Sequence, residues 1–274
     1  MARRGRDPLA GLTPRPVALE RCAAQARGAG ALGRGRAARG EEISFTLGYA
    51  GDTPRRADGG AAERLLEETR RAWQGWSDRC RYEGVARGHV LRSALVLRGL
   101  AFDETGALLA APTTSLPEEI GGERNWDYRF TWHRDASFLV LALFRLGYEE
   151  VGRSYMNFLL SQCEVRRDRL APMAGIGGEL ESEERTLDHL EGYAASKPVR
   201  VGNGAYEQVQ LDTYGQVLDA VFIYQEITGS LTPEQWSVLR RLVALVCEHW
   251  REPDDGVWEM QTERRQFTHS KMMA

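Results

Sequence analysis

Lysine is almost missing from this chain: Lys197 and Lys271 are the only lysines among its 36 basic residues. A basic excess is missing too, because 39 acidic residues leave a formal net charge of -3 at pH 7. Nucleic acids and anionic membrane surfaces are held by surplus positive charge, so neither is an expected partner. No apolar run approaches the ~18 residues of a membrane-spanning helix. Cysteine is scarce, and Cys22, Cys80, Cys163 and Cys247 lie far apart with no CxxC or other zinc spacing. Unpaired thiols fit a reducing compartment, so a cytoplasmic protein with no metal and no cofactor is expected. The first forty residues carry positive charge without the apolar core of a signal peptide. Their Arg, Ala and Gly bias predicts a disordered tail over residues 1–40.

What the chain does have is helical periodicity. Leu65, Leu66, Thr69, Trp73 and Trp76 share one face of a helix, and Val90, Ala94, Leu95, Leu97 and Leu100 mark a second. Ala136 to Leu146 is apolar on nearly every face, which predicts burial on all sides. Glu149 to Cys163 reads as a fourth helix, and Val209 to Phe222 as a fifth. Thr232-Pro233-Glu234-Gln235 supplies an N-cap, a proline at the first helical position and an acidic first turn, opening a sixth helix to Trp250. A seventh begins near Ser270. Ahead of all these, Ile43, Phe45, Leu47 and Tyr49 alternate with polar residues at the period of a strand. A lone strand is unstable in water, so this one reads as the last strand of a larger sheet.

Three polar, aromatic-rich stretches each precede a helix: Trp126 to Asp135, Val199 to Asp212 and Asp254 to Glu263. They fall before alternate helices. If those helices line the inside of a toroid, their N-terminal ends converge on one mouth. Helix N-termini present unsatisfied N–H groups and a positive partial charge, which suits a site built around acceptor oxygens. Tryptophan and tyrosine offer flat faces for a sugar ring, while Arg and Asp hydrogen-bond its hydroxyls. The plainer alternative, core aromatics with Arg134 and Asp135 as a structural ion pair at a helix start, explains one cluster but not the recurrence of three.

The stretches WDYRFTWHRD, LDHLEGY, PVRVGNGAYEQVQLDTYGQVLD and DDGVWEMQTE, in this order and spacing, resemble glycoside hydrolase family 15, the glucoamylase, glucodextranase and trehalase family. The resemblance spans roughly Glu41 to Ala274. It implies an all-α fold: the first half of an (α/α)6 toroid over residues 61–274. A remnant of an N-terminal β-sandwich and linker precedes it over 41–60. It also implies an inverting, exo-acting α-glucoside hydrolase releasing glucose from non-reducing ends, with an α-glucoside or trehalose as substrate. Tyr128, Trp132, Arg134 and Asp135 match positions that hold the terminal glucose. Glu259 matches the general acid, and Trp258 would shield it and raise its pKa. His133 replaces an apolar residue or threonine, and its role is open.

By the same resemblance the chain is expected to be truncated at both ends and to lack the family's general base, a glutamate of the second half-toroid. Glu179, Glu181 and Glu183 are the substitutes to examine. The alternatives are a non-catalytic sugar-binding half-barrel and an inactive pseudogene product. An open half-barrel would also leave apolar helix faces bare, which predicts self-association.

Overall fold

The computed structural model describes residues 59–165, 169–179 and 182–274. The expected tail over 1–40 and the expected strand Ile43–Tyr49 lie outside these residues, as do Cys22 and Glu181. The chain divides into two units, Met1–Arg64 and Leu65–Ala274. Only the opening of one helix is described in the first, and the second carries everything that follows.

Seven α-helices are described: α1 (Gly59–Ser77), α2 (Arg87–Gly99), α3 (His133–Leu146), α4 (Glu149–Val165), α5 (Asp212–Thr228), α6 (Pro233–His249) and α7 (Thr268–Met273). Between them run long loops stitched by two-residue strands. β1 (Thr131–Trp132) pairs antiparallel with β2 (Met173–Ala174), and β3 (Arg185–Thr186) with β4 (Arg200–Val201). The chain is thus mostly helical, as its periodicity predicts.

Helix ends follow local chemistry. The Thr232 hydroxyl accepts from Gln235 N and the Gln235 side chain accepts from Thr232 N, a reciprocal cap that starts α6 at Pro233. Gly147 ends α3 with φ 94°, a left-handed turn in which any other side chain would be strained. The fifth helix starts later than its apolar pattern suggests, at Asp212 instead of Val209. Buried carboxylates intercept the backbone first: Asp255 Oδ2 accepts from Val209 N at 2.7 Å and Asp254 Oδ2 from Leu211 N at 3.0 Å.

Helix α3 packs on α5 and α5 on α7, while α4 lies against α3 and α6 against α4 and α5. Alternate helices therefore form one layer, α3, α5 and α7, with α4 and α6 outside it. Between the layers lies the core: Val140, Leu143 and Phe144 of α3, Tyr155, Met156 and Leu159 of α4, Val217 and Val221 of α5, and Leu239, Leu242 and Val246 of α6. The Trp76 and Tyr148 rings stack at 3.7 Å and nearly parallel, joining the end of α1 to the α3–α4 turn. Gly215 lets α5 and α7 meet, since a Cβ there would stand 2.0 Å from the Met273 carbonyl oxygen.

One expectation about burial needs correction, and a second apolar stripe is more open than its pattern suggests. Helix α3 is not enclosed on all sides, because Phe138 is 53% exposed. On α1 only Trp76 is buried, and Leu65, Leu66 and Trp73 are exposed among the described residues. In both cases the apolar stripe is wider than the surface that packs against it.

Candidate active site

The N-terminal approaches to α3, α5 and α7 border one open cavity of about 830 Å³. Its walls include Trp126, Tyr128, Trp132, Arg134 and Asp135 from the first polar stretch, Gln208 from the second, and Trp258 and Glu259 from the third. The six site residues expected from sequence therefore border a single space.

Arg134 is the centre of the polar floor. Its Nη1 donates to Gln210 Oε1 at 2.9 Å, and its Nη2 lies 3.1 Å from Asp135 Oδ2 and 3.4 Å from Glu259 Oε1. Beneath it, Asp212 Oδ2 stands 3.9 Å from Nη1 and equally far from His269 Nδ1. Asp212 is fully buried, and neither of its oxygens has a hydrogen-bond partner among the described residues. Burial raises its pKa against the lowering pull of Arg134 and His269.

Glu259 is reached by three donors, all on Oε1: Trp132 Nε1 at 2.6 Å, Gln210 Nε2 at 3.3 Å and Arg134 Nη2. Its backbone is left-handed, φ 51°, a conformation that costs a non-glycine residue about 1–2 kcal/mol. The turn is held from outside. Asp255 N donates to Val209 O at 2.9 Å and Met260 N to Asp255 O at 3.1 Å, so the Asp254–Asp255 carboxylates and backbone bind this loop to the start of α5.

The same turn corrects the expectation for Trp258. Its side chain does not shield Glu259; the residue is 81% exposed. Consecutive positive-φ turns at Gly256 (69°) and Glu259 send the neighbouring side chains apart, one to Trp132 and the other to solvent. The indole against Glu259 is that of Trp132, which is buried.

The aromatic wall is ordered by a buried carboxylate. Asp127 accepts twice from the Arg129 guanidinium, at 2.9 and 2.7 Å, once from Arg129 N at 3.2 Å and once from Gly202 N at 3.0 Å, fixing the loop on which Trp126 and Tyr128 stand. Tyr128 and Trp132 lie 5.9 Å apart and tilted, and Arg200 covers the Trp126 ring at 4.6 Å. The Tyr128 hydroxyl has a raised pKa, chiefly from burial and then from Glu118 and Glu259.

His133 takes no part in the cavity. It is fully buried, its Nδ1 lies 3.2 Å from the Tyr155 hydroxyl, and burial lowers its pKa to about 4. Gln208 and Gln210 are the polar residues that sequence reasoning passed over. The signal was present: two glutamines alternating with Val209 and Leu211 inside a stretch already marked as functional. Neither Glu179 nor Glu183 borders the cavity; Glu179 caps its own turn by accepting from Gly177 N.

An aromatic wall, an arginine beside carboxylates and a carboxyl group presented on a strained turn have the chemistry that suits a polyhydroxylated ring. The chain belongs to the glycosyl hydrolases family 15, whose family model matches residues 84–274. It is 39% identical over 247 residues to a trehalase of Mycolicibacterium smegmatis, covering 89% of this chain and 37% of that protein. To a trehalase of Thermoplasma acidophilum it is 39% identical over 211 residues, 76% of this chain and 36% of the relative. To trehalase 1 of Sulfolobus acidocaldarius it is 37% identical over 202 residues, 72% and 36% respectively. The chain thus spans a little over a third of the length of these relatives. No solved structure matches it. Among the described residues no helix is long and apolar enough to cross a membrane, and no group of His, Cys, Asp or Glu could hold a metal ion.

Proposed function

We propose that this chain carries the glucose-binding and acid-bearing part of an inverting, exo-acting α-glucoside hydrolase, with trehalose as the first substrate to test. The observation behind it is the convergence of Trp132 and Arg134 on Glu259, 127 and 125 positions away in sequence, at the floor of one aromatic-walled cavity. The names of the relatives support the choice of substrate.

In this reading the terminal glucose rests against Trp126, Tyr128 and Trp132, and Arg134 and Asp135 take its outer hydroxyls. Glu259 gives a proton to the glycosidic oxygen as the C–O bond breaks, so that its electron pair leaves with the departing sugar. Water adds to the anomeric carbon from the opposite face while a second carboxylate, about 6.5–9.5 Å from the first, takes its proton. The described residues offer no free candidate for that base. Besides Glu259, the carboxylates bordering the cavity are Asp135, bound to Arg134, and Glu118, 3.7 Å from Arg124. The base is therefore assigned to sequence outside these residues. The toroid is assigned on the same footing, from the alternation of inner and outer helices.

The lack of a free second carboxylate also favours a second reading, in which this stretch by itself holds a sugar without cleaving it. Glucose release from trehalose, maltose and starch separates the two, assayed on the 274-residue chain alone and with the remainder of a family member supplied in trans. The chain alone should lose at least the 10²–10⁴-fold worth of general-base assistance. Activity should appear on complementation and vanish in Glu259→Gln. Strong activity from the chain alone would overturn the assignment of the base. Sugar binding with no release in either case would favour the second reading.

A further inference from the structure

The assignment of Glu259 as the acid leaves open which of its oxygens carries the proton, and the side chains around it answer that question. Gln210 is almost completely buried, between Arg134 and Glu259. Its orientation is forced. Arginine has only donors, so the oxygen of the amide must face Arg134 Nη1, at 2.9 Å. The nitrogen is thereby turned toward Glu259 Oε1 at 3.3 Å and Gln208 Oε1 at 3.0 Å, both acceptors. With Trp132 Nε1 and Arg134 Nη2 also donating to it, Oε1 has three N–H groups around it and no room for a hydrogen of its own. Oε2 accepts from no described residue.

We propose that Gln210 is a positioning residue: by committing Glu259 Oε1 as an acceptor it leaves the transferable proton on Oε2, and it ties the acid to the arginine that grips the sugar. This rests on the assignment of Glu259 as the acid. A fixed proton position matters because proton transfer demands an oxygen within hydrogen-bond reach of the leaving group in one defined geometry. An acid free to rotate would present the wrong oxygen part of the time. Gln210 touches no substrate in this account; it works through Glu259 and Arg134.

The Trp132 indole N–H gives a readout independent of turnover, since it bonds directly to Glu259. In ¹⁵N-labelled protein its resonance should shift as Glu259 changes charge, and in Glu259→Gln that titration should disappear. The other charged groups facing the pair are Arg134 and Asp135 of α3, Asp212 of α5, His269 of α7, and Tyr128 and Glu118 on the cavity wall. These residues are the same in every variant compared, so their own titrations contribute equally to each. Gln210→Glu keeps the shape and puts a second carboxylate at the 3.3 Å contact, so the midpoint should rise by about one pH unit or more. Gln210→Met removes a donor to Glu259 and should raise the midpoint by less, while broadening the indole resonance as the carboxyl group gains freedom. Circular dichroism checks that each variant is folded; should Gln210→Met fail that check, Gln210→Glu decides alone.

An unmoved midpoint in a folded Gln210→Glu would overturn the proposal while leaving Glu259 in place. Persistence of the titration in Glu259→Gln would overturn it too, by showing that the Trp132 resonance follows some other group. Whether Glu259 is the acid at all is read separately, from glucose release by Glu259→Gln in the complemented assay.

Discussion

At the scale of single residues, His133 shows how a position beside the site can serve the fold instead. Folding holds it neutral with a pKa near 4, whereas an unfolded histidine takes up a proton below about 6.5. Between those values the unfolded state binds the extra proton, so stability is complete above pH 6.5 and is lost as pH falls toward 4. At about 1.4 kcal/mol per pH unit the loss is roughly 3 kcal/mol. Urea midpoints at pH 7.5 and 4.5 should therefore converge in His133→Gln relative to the parent chain, and parallel pH dependence in the two would refute the neutral, buried histidine. The residues of the cavity divide by how they could be read. Tyr128, Trp132, Arg134, Asp135 and Glu259 stand in stretches whose composition is out of keeping with a core, and all five reach the cavity. Gln210 stands in a stretch that the sequence marks as functional, but nothing local tells which of its polar residues turns toward the cavity floor; its contacts are with partners 76 and 49 positions away.

Among the elements, the helices with strong local signals match their expected bounds most closely. Pro233 and Glu149 start α6 and α4 where capping and charge place them. Asp212 starts α5 late because Asp254 and Asp255, more than forty positions away, claim the amides of Leu211 and Val209. No window around Val209 contains that information. The contact of α5 with α7 is equally invisible in sequence, since Gly215 reads as a weak helical position and acts as the point where two backbones meet. Gly215→Ala would raise intrinsic helix propensity by up to about 1 kcal/mol, yet the added methyl group overlaps backbone, which cannot rotate aside. A net loss of about 1–3 kcal/mol is expected, measurable as a lowered melting temperature together with faster amide exchange in α7. A gain in melting temperature would show that α7 does not pack there.

For the molecule as a whole, the inner layer leaves large apolar groups in the open: Phe138 of α3 is 53% exposed, Phe222 of α5 59% and Met272 of α7 78%. Bare apolar side chains on packed neighbouring helices favour association. Sedimentation velocity on the 274-residue chain should show self-association that weakens in a Phe138→Ser, Phe222→Ser double variant, and a monomer at all concentrations would refute it. What the sequence by itself determined is the helical class, the caps, the alternation of inner and outer helices and the three stretches that carry the site, because periodicity, turn chemistry and polar clustering act over a few residues. Only the tertiary structure decided which oxygen of Glu259 is bonded, that Trp132 and not Trp258 lies against it, and that Gln210 joins Glu259 to Arg134. Those facts depend on the direction of side chains leaving a turn whose φ is fixed by contacts from distant segments, and no local pattern encodes a direction set from so far away.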